Sequence, residues 1–255
     1  MVALVINSNL SSLNAQRHLE ENRSQLGSSI NRISSGIRIE GASDGGAELT
    51  LTENIRADVL ALQQGSRNLN DGTAFVKTAE GALNEISGIL LRLRSLASQS
   101  ANGTIGDVER ISTDLEYQAS IRELDRIVAT TEFNGTFLLD GTLAASQPDS
   151  AHNVLQLGVD SRSDNQIDLN NILDLTNVGT AALGLTGSNI TTQGAAFQAL
   201  NDLTASIDDL IQVRGRVGTA QIRMLHALDN LQVQEENLNA AVSTIRDADL
   251  AEELT

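Results

Sequence analysis

Two runs of apolar residues at seven-residue spacing organise the chain. The first is Ile55, Leu62, Leu69, Val76, Leu83, Leu90 and Ala97. Three positions after each stand Asp58, Gly65, Gly72, Ala79, Ile86, Leu93 and Ser100, a companion series that is polar or small at first and apolar later. Together they read as the a/d seam of packed helices. They predict one helix from about Ala47 to Gln99, roughly 80 Å long at 1.5 Å per residue. Ser43 or Asp44 is the expected cap, and Asn102-Gly103 the expected end. Gly65 and Gly72 mark places where two backbones can approach closely. The second run is Leu203, Leu210, Val217, Met224, Leu231, Leu238 and Ile245. Leu200, Ile207, Leu228 and Val242 are its expected companions, interrupted by Arg214, Gln221 and Glu235. It predicts a helix from about Ala195 to Ala248. Two matched long helices far apart in sequence are expected to pack antiparallel.

Shorter patterns fill the rest. Val108, Ile111, Leu115, Ile121, Leu124 and Val128 recur at helical spacing and predict a helix from Asp107 to Val128. Glu132-Phe133-Asn134-Gly135 is a turn. Leu155, Leu157 and Val159, then Ile167 and Leu169, alternate with polar residues as short half-buried strands do. Residues 140–150 and 186–194 are rich in loop-forming residues. At the start, Ile6, Leu10, Leu13, Leu19, Leu26, Ile30, Ile33 and Ile37 mark an amphipathic helix ending near Ser34-Ser35-Gly36, with residues 38–46 as a hinge-like spacer. That helix has an apolar stripe and no evident partner, so it calls for another chain or segment. The expected fold class is mainly α: long antiparallel heptad helices packed as a rod-like bundle, with a small β-hairpin region at the far end.

Composition narrows the function. Aromatic residues are 2% of the chain and there is a single proline, which suits long helix–helix seams better than a large core. The formal net charge is −16, the wrong sign for binding nucleic acid. No apolar run approaches the ~20 residues of a membrane span. There is no cysteine, hence no disulfide or thiolate site. The N-terminus lacks the basic and apolar regions of a secretory signal. His18, His152 and His226 are scattered without metal-ligand spacing. The acidic pairs Glu20-Glu21, Asp208-Asp209, Glu235-Glu236 and Glu252-Glu253 are neighbours that point about 100° apart on a helix, so they cannot converge as acid and base. Nothing points to catalysis, a metal or any cofactor.

One stretch, LRLRSLASQSANGT at residues 91–104, stands out. With Leu90 and Leu93 in the seam, Arg92 and Leu96 lie four apart on an outward face. They read either as an interface hot spot or as an ordinary solvated arginine beside a partly packed leucine.

The longer motifs identify the chain as similar to one family. VINSNLSSLNAQRHL, RISSGIRIEGASDGGAELTL, SRNLNDGTAFVKTAEGALNEI, RLRSLASQSANGT, LDRIVATTEFNGTFLLDG and LNAAVSTIRDADLAEE resemble bacterial flagellin in order and spacing, over about residues 1–142 and 195–255. The resemblance implies a structural subunit of the flagellar filament that polymerises with itself through its terminal helices and serves motility. It implies secretion through the flagellar type III export apparatus with a chaperone, contact with filament cap and junction proteins, and recognition of the monomer by Toll-like receptor 5. It implies residues 1–43 as half of an inner filament-core domain and residues 44–246 as a rod domain. That rod would hold helices 47–100, 107–128 and 195–246 and a β region at 131–190, with residues 247–255 starting a second core segment. The receptor patch of the family matches Arg92, Leu96 and Glu116, with Leu91 standing where receptor-active relatives often carry Gln. The expected helix seam is Leu62, Leu69, Val76, Leu83 and Leu90 against Leu203, Leu210, Val217, Leu231 and Leu238. The family continues past Asp247–Leu254 with another helix, so the chain ending at Thr255 is expected to leave residues 5–36 without an intrachain partner, with a frayed N-terminal helix and poor polymerisation. Within the same machinery the alternative is a hook–filament junction protein; outside it, an acidic coiled-coil adaptor.

Overall fold

A computed structural model describes residues 10–253. The expected helix start at Ile6 and the chain end lie outside the described residues. The helices are α1 (Leu10–Ser35), α2 (Ala42–Ala101), α3 (Asp107–Thr130), α4 (Leu169–Leu173), α5 (Gln193–Arg246) and α6 (Leu250–Glu253). The strands are β1 (Glu132–Phe133), β2 (Thr136–Phe137), β3 (Val154–Gln156) and β4 (Gln166–Asp168). The fold is mainly α, with only two small antiparallel strand pairs among the described residues, β1–β2 and β3–β4. By internal contacts the chain divides into two compact units, Met1–Leu60 with Gln234–Thr255, and Ala61–Val233.

The larger unit is built on the heptads. Leu62, Leu69, Val76, Leu83 and Leu90 of α2 are buried, as are Leu203, Leu210, Val217, Met224 and Leu231 of α5. The helices run antiparallel here: the Thr73 hydroxyl meets the Met224 sulfur, the Gln221 amide donates to Glu80, and Gln193 donates to the carbonyl of Ala101. On α2 the later companions Ala79, Ile86, Leu93 and Ser100 are also buried.

On α5 the companion position is corrected. Leu200, Ile207 and Leu228 are only half-buried, whereas Ala199, Ser206, Val213 and Ala220 are buried. After Leu203, Leu210 and Val217 the second seam position therefore follows the leading residue by three rather than preceding it by three. Small residues occupy it because α5 meets chain closely there; the Ser206 hydroxyl donates to the carbonyls of Leu183 and Asp202. Leu238, in the smaller unit, is half-buried.

Gly65 and Gly72 do permit a close approach, but of a strand rather than a helix. A Cβ at Gly65 would collide with the Leu157 carbonyl, and one at Gly72 with the Leu155 side chain. Asn68 donates to the Gln156 carbonyl at 2.8 Å between them. The β3–β4 hairpin, with Leu155 opposite Ile167, is thus seated on this stretch of α2. The strands are shorter than the alternation predicts: Leu157 and Val159 lie beyond β3, and Leu169 opens α4. Asn134 and Gly135, at φ 50° and 79°, form the tight turn of β1–β2. Phe133 packs edge-on against Phe75 of α2, with ring centroids 5.6 Å apart.

In the smaller unit α1 ends at Gly36, whose φ of 71° is left-handed. Ile37 pairs with Asp247, Arg38 N–H donates to the Arg246 carbonyl at 2.7 Å, and Ala248 N–H donates to that of Gly36 at 3.0 Å. Arg246 reaches Glu53 at 3.4 Å. The spacer is shorter than residues 38–46, because helical structure begins at Ala42 and is broken by one extended residue, Gly45. Asp44 does not cap the helix beyond Gly45. Its carboxylate turns back to accept the N–H groups of Glu40 and Gly41, closing the turn that precedes α2.

Candidate functional site

The site is assembled where α3 folds back on α2. The two are joined by residues 102–106 and held by a buried guanidinium. Arg110 donates from Nε to the Ser100 carbonyl at 2.9 Å and from a terminal nitrogen to that of Asn102 at 3.0 Å; the other terminal nitrogen meets Asp107 at 3.1 Å. The last carbonyls of α2 have no helical partner, and Arg110 satisfies them. Behind α3, Tyr117 is fully buried and its hydroxyl lies 2.7 Å from that of Ser188. Burial pushes its phenol pKa up. Asp114 accepts the Ile190 N–H and Gln118 donates to the Ser188 carbonyl, so the loop before α5 is tied to the same helix.

On the outer surface Arg92 of α2 and Glu116 of α3 form an ion pair. Arg92 Nε donates to Glu116 Oε1 at 3.0 Å, and a terminal nitrogen of Arg92 donates to the same oxygen. Both side chains are about half exposed, at 58% and 50%. Leu96, expected on the same outward face, is instead buried at 3% exposure. The reason is the third helix. Contacts from Arg92 to Glu116 and from Ser100 to Arg110 bracket Leu96, so the position that faces outward in a two-helix seam is covered by α3. Leu91 is open at 56%.

The buried face of α3 is not the one that its apolar residues mark. Val108, Ile111 and Leu115 are exposed at 79%, 54% and 69%, while Arg110, Tyr117, Leu124 and Val128 are buried and Ile121 is half-buried. The three exposed residues sit at spacings of three and four and make an apolar stripe beside Glu116. Periodicity places that stripe inward because it counts apolar residues. The true inward set mixes an arginine and a tyrosine with aliphatics, and the available signal is Arg110, three residues after Asp107 next to a helix end.

Residues 6–144 match the family model for the bacterial flagellin N-terminal helical region, and residues 199–255 match that for the C-terminal helical region. The chain belongs to the bacterial flagellin family. It is 37% identical over 251 residues to a flagellin of Halalkalibacterium halodurans, covering 98% of this chain and 88% of that one. It is 33% identical over 282 residues to a flagellin of Bacillus subtilis, covering 98% and 89%. The crystal structure of Bacillus cereus flagellin is similar, with a TM-score of 0.54 and 31% identity, covering 69% of this chain and 94% of that one. As a flagellin the chain is a structural component of the bacterial flagellar filament, and no helix among its described residues is long and apolar enough to cross a membrane. In this flagellin Arg92, Glu116 and the stripe of α3 lie on the larger unit, and α1 on the smaller.

Proposed function

We propose that this flagellin is secreted through the flagellar export apparatus, polymerises with copies of itself into the filament that drives motility, and is recognised as a monomer by Toll-like receptor 5 through Arg92 and Glu116. In this reading residues 1–43 and 247–255 belong to the inner filament core and residues 44–246 to the surrounding rod. The observation that carries it is an exposed charged pair held on two braced helices, next to the open apolar residues Leu91, Ile111 and Leu115. Arginine beside apolar surface is the composition of a binding hot spot. Leu96 acts from beneath, supporting Arg92 and Glu116 rather than touching a partner. Self-assembly is supported by α1, which has no buried residue and leaves Leu10, Leu13, Leu19, Leu26 and Ile30 exposed. An apolar stripe of that length is stabilised when neighbouring subunits cover it.

Two substitutions test the reading. Arg92→Ala removes an exposed ion pair worth ~0–1 kcal/mol, so melting shifts little, while receptor signalling by the monomer falls about tenfold or more. Full signalling by the folded variant would remove Arg92 from the contact. Leu26→Glu lies on an open face and leaves the monomer folded. The expected result by electron microscopy is loss of filaments, and normal filaments from this variant would exclude α1 from the polymer contact.

A further inference from the structure

The geometry points to His152 as a buried imidazolium whose two N–H groups lock the β3–β4 hairpin in place, so that loss of its second proton loosens the hairpin from its seat on α2. The side chain is 3% exposed. Nδ1 lies 2.6 Å from Asp168 Oδ2, and Nε2 lies 3.0 Å from the Gln147 carbonyl. A backbone carbonyl can only accept. Asp168 acts as an acceptor throughout: it also takes the N–H of Asn171 at 3.2 Å and its side-chain amide at 2.7 Å. Both ring nitrogens therefore face acceptors. A neutral imidazole has a single N–H, so one of the two contacts would set lone pair against lone pair. Only the cation satisfies both.

The ring is packed between three segments. β4 contributes Asp168, the short 3₁₀ turn Asp149–Ala151 contributes the carboxylate of Asp149, and the loop before that turn contributes the neutral carbonyl of Gln147. Both charged groups acting on the ring are acidic and favour the cation. The hydrogen bond to Asp168 is the largest influence and outweighs burial, which opposes charge, so the imidazole pKa is raised above its ordinary 6.5.

The lock sits at a junction. Asp168 is the N-cap of α4. In the next turn Asn170 is fully buried, accepts the Asn153 N–H at 3.0 Å and donates to the Thr142 carbonyl at 3.0 Å. His152 thus fastens the loop before the turn to β4, while its neighbours fasten β3 to α4. The same hairpin meets α2 through Leu157 against Gly65, Leu155 against Gly72 and Gln156 against Asn68. Small hairpins of this kind are marginal alone and open as cooperative units. For a histidine whose pKa is raised on folding, the stability is fully present below the unfolded value of 6.5 and is lost as pH rises through the folded value. The hairpin should loosen as the pH rises through the folded value, which lies above 6.5.

Nuclear magnetic resonance of the ¹⁵N-labelled full chain tests this. Above pH 6.5, the ordinary imidazole value, both ring nitrogens of His152 should still resonate as protonated. The amide signals of residues 154–157 and 166–169 should shift or broaden with the midpoint of His152, and those of α5 should not. In His152→Gln this shared titration should vanish. The proposal is overturned if His152 titrates at or below the ordinary imidazole value of 6.5, if the hairpin amides ignore its deprotonation, or if the titration persists in the glutamine variant. None of these outcomes depends on filament assembly or receptor binding.

Discussion

Arg110 shows how much one side chain can decide. It is 7% exposed, and its three donor positions end on two carbonyls at the end of α2 and on Asp107. Arg110→Met keeps much of the volume and removes those bonds. Hydrogen bonds from a charged donor are worth ~1.5–3 kcal/mol, and the carbonyls left behind add to the loss. A fall in melting temperature of roughly 4–8 °C is expected, read by circular dichroism. Arg110→Lys should rescue little, since an ammonium cannot reproduce the planar fork. A melting temperature unchanged in both variants would show that Arg110 does not brace the two helices. The role of this residue leaves only a faint trace in the sequence, its place three residues after Asp107 next to a helix end. It lies among the apolar positions of α3 only because a helix end needs donors there, and periodicity records hydrophobicity, not unmet carbonyls. Leu96 escapes for a related reason: a heptad describes two helices, and the third decides what becomes of the remaining positions.

At the level of elements, the leading heptad series of α2 and α5 are legible because Leu and Val at every seventh place have no other simple cause. The companion series of α5 is not, because Ala199, Ser206 and Ala220 carry little hydrophobic signal, and their burial results from close packing. Close packing also separates two glycines of α2 that look alike in sequence. A Cβ at Gly65 strikes backbone of the β3 hairpin, whereas a Cβ at Gly81 meets nothing within 4 Å. Mid-helix Gly→Ala is worth ~1 kcal/mol of stabilisation when space allows, while overpacking a fitted contact costs ~1–3 kcal/mol. Gly81→Ala should therefore raise the melting temperature by about 2–4 °C, and Gly65→Ala should lower it. Equal effects of the two substitutions would mean that the hairpin does not rest on α2 as described.

Across the whole molecule, stability is unevenly distributed. The unit Ala61–Val233 holds nearly all the buried apolar side chains, including both leading heptad series from Leu62 to Leu90 and from Leu203 to Leu231. In the other unit α1 buries nothing, and its Arg17 and Arg23 are exposed along a helix of 26 residues. A helix without buried apolar contacts opens at almost no free-energy cost, and a protease cleaves what opens. Brief trypsin treatment of the monomer should therefore cut first at Arg17 and Arg23. Arg38 and Arg246 should be cut more slowly, because Arg38 bonds the backbone of Ile245 and Arg246, and Arg246 reaches Glu53. The helical parts of residues 61–233 should persist, although they contain Lys77 and several exposed arginines, because cleavage there requires the seam to open; Arg162, 77% exposed in the connection between β3 and β4, is a further early site. In assembled filaments the early sites on α1 should become protected, since self-association covers the stripe that the monomer leaves open. Mass spectrometry of timed digests gives the order directly. First cleavage on α2 or α5 within residues 61–233 would mean that the heptad seam is not the most stable part of the chain. Equal cleavage of α1 in monomer and filament would mean that the stripe stays uncovered on assembly.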